Sequence, residues 1–524
     1  MGRWKKSALV SSAVAGTMLV SVACGSSGDS NGNGAKETAG AAATAAAASV
    51  APATATAQAP LNLTIAISQV GDIPAKGNVV EQTIEKLTNT KLDIQWIPST
   101  AYNDKINVML ASNEMPKLLR VVQGPTVVNA IESQLFWEVG PHLKDYKNLS
   151  AQNPQFFQNI AVEGKIYGVP LYRNMGRGAY VYRKDWMDAL GLQLPKTMDD
   201  WYNVVKALTL NDPDKNGKND TYGIVLNKKY NEGVASWLTR FAVMMGGVNK
   251  WSVDKDNNFT PEHETKEFMD VLNLFRKLYA EKLINQDFAV LDATEQEKLF
   301  DTGRAGIRFA VATNGKSQQD RLSKTNPAAV VDVASFEGPQ GIRISSEAGN
   351  NGFFVIPKSS VKTEAEMKRV LGFLDSLMEP AASTLLLRGI EGTHFGNTAD
   401  GRTEFIGDGF NIFQREVKPY RDNLTVLEGY NVKPLKDVAI GEKGTKMESD
   451  GIKYIVSNPA LTLKSATLSE RGQELDQLLM DAETKYIMGK IDEAGWKEEV
   501  NKWKKNGGDK LMAEYKESYA KLKK

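Results

Sequence analysis

The sequence predicts an α/β protein. Three observations carry this: runs of alternating apolar and polar residues recur along the chain, amphipathic runs with helical spacing separate them, and glycine or proline marks the junctions. A chain of 524 residues is long enough for two or more domains, each with a sizeable core.

The N-terminal section stands apart from that pattern. Arg3, Lys5 and Lys6 precede an apolar run over 8–23 that is too short to span a bilayer, which reads as a secretory signal peptide over 1–23. The run SVACG then places Cys24, the single cysteine of the chain, at its end. This resembles a bacterial lipobox, with Ser21 where leucine is usual, and the resemblance implies that Cys24 is lipidated. The competing reading is an ordinary signal peptide with an incidental cysteine. One cysteine excludes an intramolecular disulfide framework. Residues 24–60 are rich in Gly, Ser, Asn, Ala and Thr with few large apolar side chains, so they read as a tether that cannot bury enough surface to fold alone.

Residues 61–68 (LNLTIAIS) alternate and predict the first strand, and Val79, Val80, Ile84 and Leu87 give a helix over 77–87. Leu92, Ile94 and Trp96 alternate again. A helix follows over 104–111 (DKINVMLA), stopped by Pro116, and 136–143 (FWEVGPHL) breaks the rhythm. Strands at 165–172 and 178–183 flank a bend at Gly176 and Gly178, where glycine lets the backbone change direction. A short helix over 186–190 ends at Gly191. Thr197 caps the next helix with Asp200 three residues on, and Trp201, Val204, Val205 and Leu208 form its apolar stripe. Helices follow over 233–245, 264–279 and 293–300, strands over 303–309, 330–336 and 352–356, and helices over 363–376, 473–485 and 496–520, the last interrupted at Gly507-Gly508. No fixed-period repeat occurs, and no apolar run after residue 23 reaches transmembrane length.

Formal net charge is +1, and without the three basic residues of the signal 61 Lys+Arg remain of 64, against 63 Asp+Glu. That balance gives no nucleic-acid footprint. The densest chemistry lies in 161–186, where Tyr167, Tyr172, Tyr180 and Tyr182 crowd together with Arg173, Arg177 and Arg183. Tyr and Arg offer flat faces together with hydrogen bonds, which suits a polyhydroxylated ligand. The competing reading is a hairpin with tyrosines on its packed face.

The order of several segments resembles the extracellular solute-binding lipoproteins of bacterial ABC sugar importers, in particular the oligosaccharide group related to alginate-binding proteins. The segments are DKINVMLASNEMP (104–116), FWEVGPHLKDY (136–146), EGKIYGVPLYR (163–173), YVYRKDWMDALGLQLPKTMDDW (180–201) and GIEGTHF (389–395). Lys117-Leu118 departs from the acidic residue more usual there. The resemblance implies a two-lobed, periplasmic-binding-protein-like (type II) α/β fold with hinge crossing strands that closes on its ligand. It places 61–177 in lobe 1, 178–302 in lobe 2, a return to lobe 1 over 303–349, and lobe 2 with the C-terminal helices over 350–524. The first crossing then falls around 171–182 and the second near 303–312.

Two motifs carry further chemistry. Asp212, Asp214, Asn216, Lys218 (through its carbonyl) and Asp220 place oxygen donors around Gly217 in the spacing of a calcium loop, but position twelve is Gly223, so the bidentate glutamate of an EF-hand is absent. A structural Ca2+, which the resemblance also implies, competes with a plain Asn/Asp turn. Outside the hinge, Trp237, Trp251, Glu391, His394 and Phe395 are candidate ligand residues beside Tyr172, Arg173, Arg177, Tyr180 and Tyr182, because sugar recognition uses aromatic faces and charge-assisted hydrogen bonds.

No nucleophile elbow, H-E-x-x-H or P-loop occurs, so no enzyme is expected, although a carboxylate pair of a secreted polysaccharide-active enzyme is an alternative. The expected protein is a monomeric, lipid-anchored receptor on the extracellular face of the cell membrane. It captures an oligosaccharide for ABC permease subunits; a peptide or other polar solute is the alternative ligand.

Overall fold

The computed structural model describes residues 58–69, 71–233 and 236–523; the expected signal peptide, Cys24 and most of the expected tether lie outside them. The chain lays down β1 (Leu61–Gln69), β2 (Thr90–Pro98), β3 (Leu118–Val121) and β4 (Gly168–Tyr172). It then crosses to β5 (Gly178–Arg183), β6 (Tyr222–Ile224), β7 (Ala305–Val311) and β8 (Val331–Ala334), and returns with β9 (Asn350–Val355). These make a five-stranded sheet in the order β2-β1-β3-β9-β4 and a four-stranded sheet in the order β8-β5-β7-β6.

In the first sheet β1 runs parallel to β2, with Ile65 opposite Ile94, and parallel to β3, with Ile65 opposite Leu118. The helix Val79–Thr88 makes the β1–β2 crossover, and Asn78 caps it by accepting from the Val80 and Glu81 amides. β9 is antiparallel to both β3 and β4. Leu63, Ile65, Ile67, Leu118, Val169 and Phe354 are buried in this half, under helices that include Glu364–Ser376.

In the second sheet β5 is antiparallel to β7 and β8, and β6 is parallel to β7. Its core is aromatic, built on Trp201, Trp237, Phe241, Phe275 and Phe309. The capping box at Thr197 and Asp200 is present, and it starts the helix Met198–Leu210 that buries Trp201. The C-terminal helices pack with this half, with Ala482, Tyr486, Trp496 and Val500 in the same core.

Two lobes therefore form, but the later segments are exchanged relative to expectation. Residues 305–311 and 331–334 pair with β5 in the second sheet, whereas 350–355 enter the first. The second crossing accordingly falls between β8 and β9, not near 303–312. Local pattern marks each of these stretches as a strand without saying which sheet receives it. The helices from Glu364 to Arg388 follow β9 to the first lobe, whereas the helix Ala439–Asp450 and the helices after Ala466 pack with the second.

The first crossing is the short segment between Tyr172 and Gly178. Its Gly176 lies against Gly451, where a Cβ on Gly176 would sit 2.3 Å from the Gly451 carbonyl carbon. The requirement at this glycine is the close approach of two backbones; its φ is not positive.

Candidate functional site

A pocket of about 530 Å³ lies at the carboxyl ends of β1 and β3, beside the start of the first crossing. In open parallel sheets this end of the strands is where connecting loops leave room for a ligand. Ser68 and Gln69 end β1, Arg120 comes from β3, Asn351 from β9, and Tyr172 and Arg173 from β4 and the residue after it. The opposite wall is the stretch from Gln414 to Glu428, which belongs to the same lobe.

The pocket is strongly cationic. Arg120, Arg173, Arg415, Lys418 and Arg421 line it, against Asp72, Asp422 and Glu428. Glu428 is already held by the buried Arg388 guanidinium at 2.6 Å, and Asp422 by Lys418 at 2.5 Å and Arg421 at 2.8 Å. Burial opposes ionisation of Asp422, but these two cations hold its carboxyl below the usual range. Arg120 donates through Nε (3.1 Å) and Nη2 (2.7 Å) to the Asn351 carbonyl. Burial draws its guanidinium below the ordinary value.

Arg173 is half-buried, and its guanidinium makes no ion pair or hydrogen bond among the described residues; only its backbone amide is engaged, on the Gly349 carbonyl at 2.9 Å. Burial, then the charge of Arg177, lowers its pKa, with Glu347 opposing and Arg120 adding. Behind it Arg177 donates to Glu347 at 2.7 Å, and Arg240 reaches the same carboxylate at 3.4 Å. Burial pushes Arg240 down to about 10 despite Glu347.

Of the ten ligand residues expected from the sequence, Tyr172 and Arg173 line this pocket, and Arg177 stands behind it. The Tyr172 ring is locked edge-on to Phe156 at 5.1 Å, and its buried hydroxyl has no hydrogen-bond partner among the described residues. The expectation for several others is corrected. Trp237 is 0% exposed and stacks on Phe309 at 3.8 Å, so it is a core residue. Tyr180 packs on Trp201 at 5.3 Å in the same core, and Tyr182 donates to Asp332 at 3.2 Å. Trp251 stands edge-on to Tyr515, with the C-terminal helices. His394 is fully buried, its Nδ1 accepting from the Ile390 amide at 3.0 Å, and Phe395 is buried beside it. Glu391 is exposed and accepts from Asn397.

Arg120 and the Gln414–Glu428 wall were missed. A signal for the wall exists: Phe413, Val417 and Tyr420 are spaced 3–4 apart and buried, which turns Gln414, Arg415, Lys418 and Arg421 to the other face. Arg120 carries no such signal, because its partner Asn351 lies 231 positions away.

In the expected calcium loop, Asp212 accepts from the amides of Asn216 and Gly217 at 3.0 Å each, and Asn216 Nδ2 bridges Asp214 (2.9 Å) and Asp220 (3.1 Å). Burial and the nearby Asp212 and Asp220 raise the Asp214 pKa, and its Oδ1 is buried without a partner. The donor set fits a hard cation. Among the described residues, however, no group of three or more His, Cys, Asp or Glu side chains is gathered to hold a metal ion.

Comparison with known proteins shows the family to which the chain belongs. Residues 73–383 match the family described as bacterial extracellular solute-binding protein. The chain is 35% identical over 455 residues, 86% of its length and 89% of the relative's, to the polygalacturonan/rhamnogalacturonan-binding protein YtcQ of Bacillus subtilis. It is also 35% identical over 451 residues, 84% of its length and 88% of the relative's, to the lipoprotein LipO of the same organism. Among solved structures, an extracellular solute-binding protein from Bifidobacterium longum subsp. infantis superposes with a TM-score of 0.71 at 15% identity, covering 90% of this chain and 100% of that one. An EF-hand mutant of FusA, an ABC-transporter substrate binding protein of S. pneumoniae in complex with fructo-nystose, gives 0.60 at 19% identity, covering 88% and 99%. The last two likenesses concern the fold alone.

Proposed function

The chain belongs to the bacterial extracellular solute-binding protein family, and from that premise we propose that it captures an oligosaccharide and hands it to the permease of an ABC importer. The observation that carries the reading is the pocket at the carboxyl ends of β1 and β3, lined by polar side chains and opening beside the first crossing between lobes. A ligand seated there contacts the residue at which the chain leaves one lobe for the other. Its differential affinity for two lobe arrangements is then what shifts their populations. The relatives' names support a carbohydrate: YtcQ is named for polygalacturonan and rhamnogalacturonan, and the FusA structure contains fructo-nystose. The protein binds and releases its ligand without chemistry.

Anchoring is part of the same proposal. Cys24 carries the lipid after removal of residues 1–23, and the protein works as a monomer on the outer face of the cell membrane; the lipoprotein LipO among its relatives supports this. The loop from Asp212 to Asp220 holds a structural Ca2+ that neutralises the repulsion among Asp212, Asp214 and Asp220, with the EF-hand of FusA in support.

Calorimetric titration of the detergent-solubilised chain against neutral oligosaccharides, acidic oligosaccharides and peptides tests the function. Saturable binding of one carbohydrate class, with the sugar recovered intact, is expected. Binding of peptides alone overturns the substrate class, and recovery of cleaved sugar overturns the receptor reading.

A further inference from the structure

This inference rests on the receptor reading and narrows its ligand. Several buried or half-buried arginines have a carboxylate: Arg177 and Arg240 share Glu347, Arg183 has Asp185 and Arg388 has Glu428, while Arg343 is held by three backbone carbonyls. Arg173 and Arg120, which face the pocket, have none. Arg120 uses Nε and Nη2 on the Asn351 carbonyl and lies over the Tyr102 ring at 5.5 Å, contacts that fix the guanidinium without supplying a carboxylate. Arg415, exposed at the mouth, also has no carboxylate partner among the described residues. Partly buried guanidinium groups without a counter-ion are costly, and a bidentate carboxylate is the ligand group that matches their fork.

The uncharged lining points the same way. A neutral sugar is gripped mainly through aromatic faces, yet among the described residues Tyr172 is the single aromatic lining this pocket, and its ring is committed to Phe156 and Phe157. Asn351 and Gln414 offer side-chain amides with no hydrogen bond among the described residues, and Asp72 offers a carboxylate with no cation partner. Such groups suit ring hydroxyls. They surround the cationic end without neutralising it.

We infer that the ligand is an acidic oligosaccharide, and that the carboxylate of one sugar unit seats against Arg173 and Arg120 while Arg415 attracts it at the mouth. The sugar carboxylate supplies the charge that Glu347 supplies to the arginines behind. Because Arg173 begins the crossing between lobes, the anion is held where lobe movement is felt.

The test compares trigalacturonic acid, its fully methyl-esterified form and the neutral β-1,4-galactotriose, titrated into the detergent-solubilised chain at low and high salt. The free acid is expected to bind at least about tenfold more tightly than the ester, and to weaken as salt rises. Arg173→Gln is expected to lower affinity for the acid about thirtyfold or more, and Arg415→Ala, at an exposed position that cannot disturb packing, by about three- to tenfold. Equal binding of acid and ester overturns the inference, as does unchanged affinity in both variants. Binding of the neutral trisaccharide alone overturns it while leaving the carbohydrate receptor standing. Binding of none of the three overturns both.

Discussion

Arg177 and Glu347 meet at 2.7 Å, joining the first crossing between the lobes to the second. Arg177 follows β4 by five residues and Glu347 precedes β9 by three, so one ion pair ties the outgoing chain to the returning one. Arg240, fully buried in the second lobe, adds its Nη2 to the same carboxylate at 3.4 Å. Removing that carboxylate strands two guanidiniums. Glu347→Gln is expected to cost about 2–3 kcal/mol, less than a fully buried pair because Glu347 keeps some solvent contact. Urea unfolding checks this, and an unchanged midpoint would show that the crossing is held by other contacts.

The contact between Gly176 and Gly451 makes a second prediction. A Cβ at Gly451 would fall 1.9 Å from the Gly176 carbonyl oxygen, so neither backbone can accommodate even alanine without moving. Gly176→Ala is expected to lower stability by about 1–3 kcal/mol through overpacking. The control is Gly191→Ala, where nothing lies within 4 Å and only the positive φ of 65° is strained. A larger effect at Gly191 than at Gly176 would refute the packing argument.

Trp237 separates core from site. With its ring stacked on Phe309 at 3.8 Å and 6.4 Å from Phe241, Trp237→Ala is expected to destabilise by about 3–5 kcal/mol. Trp237→Phe keeps most of the packing and should leave ligand affinity of the folded protein unchanged. Loss of affinity in a fully folded Trp237→Phe variant would return this residue to the binding site.

A pH dependence follows from the second lobe. Burial raises the Glu483 carboxyl from 4.5 to about 8, with Lys250 opposing and Glu262 adding to the rise. Burial, with Lys250 and Lys504, lowers the His263 imidazole from 6.5 to about 3. The folded state holds the extra proton at Glu483, so this residue's contribution is full below 4.5 and is lost as pH rises through about 8. His263 acts oppositely, its contribution being full above 6.5 and lost as pH falls toward 3. Of these two groups only Glu483 changes its contribution between 6.5 and 8, and that contribution declines there. Glu483→Gln is expected to flatten that decline in melting curves; an equal slope in wild type and variant would exclude Glu483 as its source.

The calcium loop gives the fifth expectation. An ion bound only by the folded protein stabilises it by about 2.7 kcal/mol at one hundred times its Kd. Millimolar Ca2+ should raise the melting temperature, chelator should reverse the rise, and the double change Asp212→Asn with Asp214→Asn should abolish it. A melting temperature indifferent to Ca2+ and chelator would leave the loop as an Asn/Asp turn.

What the sequence determined by itself is the set of local elements. Alternation in LNLTIAIS marks a strand that the structure has as Leu61–Gln69, and the Thr197–Asp200 pair marks a helix start that is present with its capping box. Periodicity and caps act within a few residues, so they are legible there. The resemblance carried by ordered segments gave the two-lobed fold. Tertiary structure alone decided which sheet receives the strands at 305–311 and 350–355, because pairing depends on partners up to hundreds of positions distant. It also decided the site. Residue type marked Trp237, Tyr180 and His394 as suitable for a sugar, but burial turns on what packs around a side chain, and all three are enclosed. Arg173 was legible from its setting among tyrosines. Arg120 became a pocket residue only when β3 and β9 came together and the Asn351 carbonyl fixed its guanidinium in place.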